Sequence, residues 1–152
     1  MGGAPTPGFA RAAGTGVVAT VLVVDDESAL RNAAGRVLRA GGYAVIEAAN
    51  AEEALTVAAR HRGRIDVLLT DVVMPGIGGV ELAARIMAQA QAIRVVYMSG
   101  YPQSHLEAVG GLTGGHAFLD KPFGLDTLLA AIQEALVAGV HTAVEGASSV
   151  AE

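Results

Sequence analysis

The chain has 152 residues, of which 52% are hydrophobic and 16% charged, enough apolar material for one packed domain and too little charge for a disordered chain. A net charge of −5, 4% aromatics and no Trp argue against a general nucleic-acid binder or a base-stacking platform. The absence of Cys excludes a disulfide scaffold, a thiolate metal site and a thiol nucleophile, and fits a cytoplasmic protein.

Residues 1–19 are rich in Gly, Ala, Pro and Thr without a period and read as a flexible leader. Val17–Val24 is the longest dense apolar run, far short of the roughly 20 residues a spanning helix needs. It runs into Asp25-Asp26 and not into a small-residue cleavage site, so neither membrane contact nor secretion is expected. Thr20–Val24 reads as a buried strand and Glu27–Ala40 as a helix with Leu30, Ala34, Val37 and Leu38 on one face, stopped by Gly41-Gly42. Tyr43–Ala48 is the second strand. Asn50 with Glu53 resembles a capping box opening a helix through Ala54, Leu55, Ala58 and Ala59, which ends at Gly63. Ile65–Thr70 is the third strand, ending at Asp71, and a Met74-Pro75-Gly76 loop follows. Val80–Gln89 is read as a helix presenting Val80, Ala83, Ala84 and Met87, then Ile93–Met98 as the fourth strand. Pro102–Gly115, with four glycines, leaves room for one short helix at most. His116–Leu119 is a short fifth strand, and Leu125–Val137 a helix with Leu125, Leu128, Leu129, Ile132 and Leu136 on one stripe. The folded domain is thus expected over 20–138, with a flexible tail over 139–152.

Alternating strands and helices imply an α/β fold, a doubly wound five-stranded parallel sheet with helices on both faces. The flavodoxin-like order 2-1-3-4-5 is the common solution, and its ligands sit outside the carboxyl ends of the strands, beside the switch between strands 1 and 3. The residues after each strand therefore matter most. Strand 1 ends in Asp25-Asp26, strand 3 in Asp71 and strand 4 in Ser99-Gly100, while strand 5 is followed by Lys121-Pro122. Strand 2, the expected edge, ends in Ala48-Ala49. Lys121 is the only lysine among ten Lys and Arg residues.

Three carboxylates in one small site demand a cation or raised pKa values. With no His or Cys near them, a hard, oxygen-seeking ion such as Mg²⁺ fits. Lys121 supplies a second positive charge, Ser99 a hydroxyl donor, and a central carboxylate can itself be the nucleophile that forms an aspartyl phosphate. Taken singly, each element has an ordinary structural reading as a helix cap, a turn or a helix entry. Four of them on the four crevice strands point to phosphoryl chemistry. His61, His105, His116 and His141 lack ligand spacing. Gly14-Thr15-Gly16 precedes a strand instead of following one, so it is not a phosphate loop.

The segments Val21–Glu27, Leu68–Gly76, Val96–Tyr101 and Phe118–Phe123 together resemble a response-regulator receiver domain of two-component signalling, over about residues 20–138. The resemblance implies that Asp71 is the phosphoacceptor. It implies that Asp25, Asp26, Asp71 and the backbone carbonyl of Val73 hold Mg²⁺, that Ser99 and Lys121 bind the phosphoryl oxygens, and that the Lys121–Pro122 peptide is cis. Phe118 would occupy the switch-aromatic position, and Tyr101 a position that tunes dephosphorylation. Met98-Ser99-Gly100-Tyr101, the glycine-rich Ala108–His116 stretch and the Lys-Pro-Phe entry are most like receivers of hybrid histidine kinases. The glycine-rich stretch departs from receivers with a firm fourth helix.

The function so implied is transfer of a phosphoryl group from a phosphohistidine of a histidine kinase or histidine phosphotransfer domain to Asp71, followed by a conformational switch read by a downstream protein target. The domain would be a signalling module, not an enzyme beyond catalysing its own phosphorylation and dephosphorylation. No DNA-binding output is expected, since no effector sequence follows residue 138. The alternative is a Mg²⁺-dependent phosphatase or hydrolase working through an aspartyl phosphate. Such an enzyme needs an acid or base near the nucleophile, and two residues after Asp71 stands the inert Val73.

Overall fold

A computed structural model describes residues 19–89, 92–100 and 117–137. The expected leader and tail, the Pro102–Gly115 stretch and Tyr101 lie outside the described residues, apart from Ala19. Five strands form one sheet: β1 (Thr20–Val24), β2 (Ala44–Ala48), β3 (Val67–Asp71), β4 (Arg94–Ser99) and β5 (Ala117–Asp120). Every pairing is parallel, in the order β2-β1-β3-β4-β5. The helices are α1 (Ser28–Ala40), α2 (Ala51–Arg60), α3 (Gly79–Gln89) and α4 over residues 125–137.

The two-residue period of the strands sorts the core into two halves. Val21, Val23 and Leu69 face a cluster completed by Ala34 and Leu38 of α1 and by Leu128 and Ile132 of α4. Leu22, Val24 and Leu68 face the other side, where α2 contributes Ala51, Ala54 and Ala58, and α3 contributes Leu82, Ala83 and Ile86. The sheet is therefore covered on both faces, as continuous β-branched and leucine runs require.

The expected helix faces pack on the core, and single positions differ in three helices. In α1, Ala34, Gly35 and Leu38 are buried while Leu30 is 38% exposed. In α3 the inward residues are Gly79, Leu82, Ala83 and Ile86, an i, i+3, i+4, i+7 series, and Ala84 is exposed. The helix starts at Gly79, whose backbone lies against Asp71, and that contact sets the phase of the turns after it. In α4, Leu128 and Ile132 are buried together with Ala131 and Ala135, and Leu125, in the first turn, is 64% exposed. The entry of α2 follows capping chemistry. Asn50 Oδ1 accepts from the Glu53 N–H at 2.7 Å, and Glu53 Oε1 accepts from the Ala49 N–H at 2.7 Å, closing the first turn of α2 from both sides.

Candidate functional site

Asp25 follows β1 directly, Asp26 is the next residue, and Asp71 is the last residue of β3. The parallel pairing of β1 with β3 brings these strand ends together. One carboxylate oxygen from each of Asp25, Asp26 and Asp71 lies within 4.8 Å of the others. Asp25 is 0% and Asp71 8% exposed, whereas Asp26 faces solvent.

Lys121 completes the group from the far edge of the sheet. Its Nζ donates to Asp25 Oδ2 at 2.9 Å and stands 3.4 Å from Asp71 Oδ2. The other oxygen of Asp25, Oδ1, accepts from the Glu27 N–H at 2.9 Å, so both oxygens of this buried carboxylate are satisfied. The backbone N–H of Lys121 donates to the Ser99 carbonyl at 2.8 Å, tying the lysine to the end of β4. The Lys121–Pro122 peptide is cis, as the resemblance implied.

Burial raises the Asp71 pKa, and the negative charge of Asp25 adds to that rise. The Lys121 charge and hydrogen bond, and the Val73 N–H, act in the opposite direction without cancelling it. For Lys121, burial favours the neutral amine. The hydrogen bond to Asp25 and the charges of Asp71 and Asp25 outweigh burial, so its pKa is raised. The ammonium is thereby locked on, while ionisation of the central carboxylate carries a free-energy cost that a further cation or a covalent bond to an electrophile would relieve.

The backbone around Asp71 is fixed by close approach. The Val72 N–H donates to the Met98 carbonyl at 2.9 Å and the Gly79 N–H to the Val72 carbonyl at 2.8 Å. A Cβ on Gly79 would collide with the Asp71 carbonyl oxygen and lie 2.9 Å from its carbon. Only glycine lets α3 start this close to the end of β3.

The structure thus gathers Asp25, Asp26, Asp71 and Lys121. Ser99 ends β4, is 1% exposed, and pairs in register with Asp120 of β5. Val73 lies in the loop after Asp71 and is 49% exposed, and its N–H faces the Asp71 carboxylate. Phe118 pairs in register with Tyr97 and packs partly buried on the α2–α3 side of the sheet. Two contributors escaped the sequence reading. Gly79 was signalled only by a Gly-Gly pair at a helix entry, where glycine is a poor helix former. Arg31 donates from Nη1 to the Asp25 carbonyl at 2.8 Å, and nothing in a helical arginine marks that bond. The donor set of three carboxylates, all oxygen, beside a single ammonium is one that Mg²⁺ fits and a soft metal does not.

A parallel 2-1-3-4-5 sheet with an acid triad and a lysine at its carboxyl rim defines a phosphoacceptor class of signalling domain. The family model described as response regulator receiver domain matches residues 21–133, and the chain belongs to that family. Among curated proteins it is similar to the sensor kinase CckA of Brucella abortus, 36% identical over 118 residues, which cover 78% of this chain and 12% of the kinase. Among solved structures it is similar to the receiver domain of the hybrid histidine kinase CckA, with TM-score 0.66 and 39% identity, covering 77% of this chain and 98% of that one. It is also similar to the response regulator TrrA of Thermotoga maritima in complex with Mg²⁺-BeF, with TM-score 0.66 and 29% identity, covering 78% of this chain and all of that one. The chain thus spans a small part of the curated kinase and nearly the whole of the isolated receivers. Among the described residues no helix is long and apolar enough to cross a membrane.

Proposed function

We propose that this receiver domain accepts a phosphoryl group on Asp71 from the phosphohistidine of a histidine kinase or histidine phosphotransfer domain. The observation that carries the reading is the placement of the Lys121 ammonium against both Asp25 and Asp71, with Asp26 beside them. A carboxylate oxygen of Asp71 attacks phosphorus. The P–N bond breaks as the O–P bond forms, and the imidazole nitrogen keeps the electron pair and takes up a proton. Lys121 faces the oxygens on which charge accumulates. Asp25, Asp26, Asp71 and the Val73 carbonyl would hold Mg²⁺, which supplies further neutralisation of the transferring group when bound. Burial of Asp25 and Asp71 limits the water that competes with the phosphoryl group for these contacts.

Once Asp71 carries the dianionic group, Ser99 is the proposed hydroxyl donor to it and Lys121 its ion-pair partner. Conversion of the Asp71 carboxylate into an acyl phosphate would redraw the contacts at the ends of β4 and β5, and Phe118, on β5, is the proposed reporter of that change. Tyr101 is the proposed tuner of hydrolysis. A phosphohistidine donor is charged from ATP, so this reading places the domain in the cytoplasm. The likeness to CckA receivers supports a place in a phosphorelay of the hybrid-kinase kind. An independent aspartyl-phosphate hydrolase is not favoured, because Val73 offers no acid or base next to the nucleophile.

Acetyl phosphate with Mg²⁺ tests the assignment by intact-protein mass spectrometry. One added phosphoryl group, labile to hydroxylamine and absent from Asp71→Ala, is the expected result. Modification that persists in Asp71→Ala, or that resists hydroxylamine, overturns it.

A further inference from the structure

We propose that Arg31, held by Glu47, is a positioning residue for the metal site: it fixes the peptide between Asp25 and Asp26 and so sets the affinity for Mg²⁺. The inference rests on the function proposed above.

Asp26 is exposed, and its carboxylate has no hydrogen bond or ion pair with another described residue. Its direction is therefore set by the backbone that carries it. That backbone is held on both sides of Asp25. The Asp25 N–H donates to the Ala48 carbonyl at 3.3 Å, and the Asp25 carbonyl, which belongs to the peptide plane shared with Asp26, accepts from Arg31 Nη1 at 2.8 Å. Side chains in a helix lean toward its N-terminus, so an arginine in the first turn of α1 can reach back over the loop that precedes it.

Arg31 is itself held in place. Its Nε stands 3.6 Å from Glu47 Oε1, and both side chains are mostly buried, at 17% and 20% exposure. Glu47 belongs to the edge strand β2, paired in register with Val23. Its second oxygen, Oε2, is 3.2 Å from Arg39 Nη1. Gly35 leaves the room for this carboxylate, since a Cβ there would lie 2.5 Å from Glu47 Oε2. Glycine is a poor helix former, and here the missing methyl opens a slot for one charged group. The chain of contacts runs from the edge of the sheet through a two-pronged guanidinium, which suits Arg and not Lys, to the one metal-site carboxylate that has no side-chain anchor.

Charge and positioning predict opposite signs, which makes the inference testable. Removing a cation beside three carboxylates should, on charge alone, tighten Mg²⁺ binding. If Arg31 acts by holding the Asp25–Asp26 peptide, Arg31→Ala weakens binding, by about 10-fold for the loss of one supporting contact outside the metal's own ligands. Titration of the whole chain with Mg²⁺ alone, followed by calorimetry and by backbone amide shifts, reads the dissociation constant, while melting without Mg²⁺ confirms folding. Arg31→Lys, which keeps the charge and loses the fork, is expected to recover only part of the affinity. Glu47→Gln weakens binding in the wild-type background and adds nothing to Arg31→Ala, because the two lie in series. Arg31→Lys, in which the charge is unchanged, carries the test if Arg31→Ala does not fold: affinity equal to wild type in that variant overturns the inference. Mg²⁺ affinity in Arg31→Ala equal to or tighter than wild type overturns the inference, and so does full additivity of the two substitutions. A wild-type chain that binds no Mg²⁺ and accepts no phosphoryl group overturns the function proposed above and not merely the role of Arg31.

Discussion

The Lys121 ammonium lies 2.9 Å from Asp25, a residue 96 positions earlier in the chain, and 3.4 Å from Asp71. The lysine is therefore hydrogen-bonded to Asp25, and reaches Asp71, the proposed acceptor, from there. This chain uses arginine at every other basic position, which makes the exchange Lys121→Arg informative. The planar guanidinium is larger than an ammonium and prefers a two-pronged partner, so it cannot serve two carboxylates at the ends of β1 and β3 in the same way. Lys121→Arg is expected to fold and to accept phosphate from acetyl phosphate, but to lose the phosphorylation-dependent NMR shifts at Ser99 and Phe118. Full switching in the variant would reduce Lys121 to a helix-entry residue.

Asp71 gives a pH signature. Its folded pKa is raised above the ordinary 3.8, chiefly by burial, so the folded state binds the proton more tightly than the unfolded one. Stability then falls as pH rises from 3.8 through the folded value, and at pH 7 the ionised carboxylate is a net cost. Asp71→Asn should melt about 2–6 °C higher than wild type at pH 7 without Mg²⁺. The gain should shrink below pH 4, where both proteins carry a neutral group. Equal melting temperatures at pH 7 would show that Lys121 compensates the burial completely.

The alkaline side behaves differently. Lys121 has a folded pKa raised above 10.5, so its stabilisation is complete below that value and is lost as pH rises through the folded pKa. Tyr43, buried in the core, is pushed up to about 12 from 10.0, and its unfolded form releases a proton first. Both effects lower stability above pH 10, and a melting series from pH 9 to 12 should show a steady decline. Tyr43→Phe is expected to flatten part of it.

Asp26 carries a charge into the acid cluster without a side-chain partner among the described residues. Asp26→Asn should raise the melting temperature without Mg²⁺, by about 1–3 °C for an exposed charge, and should weaken Mg²⁺ binding. An unchanged melting curve together with unchanged Mg²⁺ affinity would mean that the three acids do not act as one site.

Gly79→Ala tests the close approach behind Asp71. The new methyl would meet the Asp71 carbonyl, and the expected cost is about 2–3 kcal/mol, an overpacking penalty that the backbone cannot relax without moving the acceptor. Phosphorylation by acetyl phosphate should slow in parallel. Gly100→Ala, where a Cβ meets nothing within 4 Å among the described residues, is the matched control and should leave stability unchanged.

The strands and their order were legible because burial on both faces leaves a plain record in sequence. The limits of β1 coincide with the β-branched run Thr20–Val24. The acids and Lys121 were legible for a related reason: a residue at the end of a parallel strand has its destination fixed by topology, whatever its neighbours do. Where a contact depends on helix rotation, sequence gave less. Leu82 and Ile86 form the inner face of α3, yet the phase of that helix is set by Gly79 against Asp71, a tertiary contact with no periodic signature. Glu47 reads as an ordinary polar residue on an edge strand, and its pairing with Arg31 and Arg39 emerges only once β2 lies beside α1. Ile65 reads as the first residue of β3 because it is apolar and buried, at 7% exposure. The ladder begins at Val67, with the half-buried Asp66 hydrogen-bonded through its backbone to Thr20 and Arg94, so Ile65 is buried without being part of the strand.

All five residues of β3, Asp71 included, are buried, and the strand is paired on both sides, with β1 and with β4. Amide hydrogens in such a strand exchange with solvent only through the largest opening a domain undergoes. The proposed acceptor thus sits at the end of the element with the least freedom to relocate, and adding a phosphoryl group there cannot be accommodated by sliding β3. Protection in β3 should stay high whether or not Asp71 is modified, and the difference between the two forms should show as altered exchange in the last residues of β4 and β5. A signal of this kind travels across the strands, perpendicular to the chain that receives it.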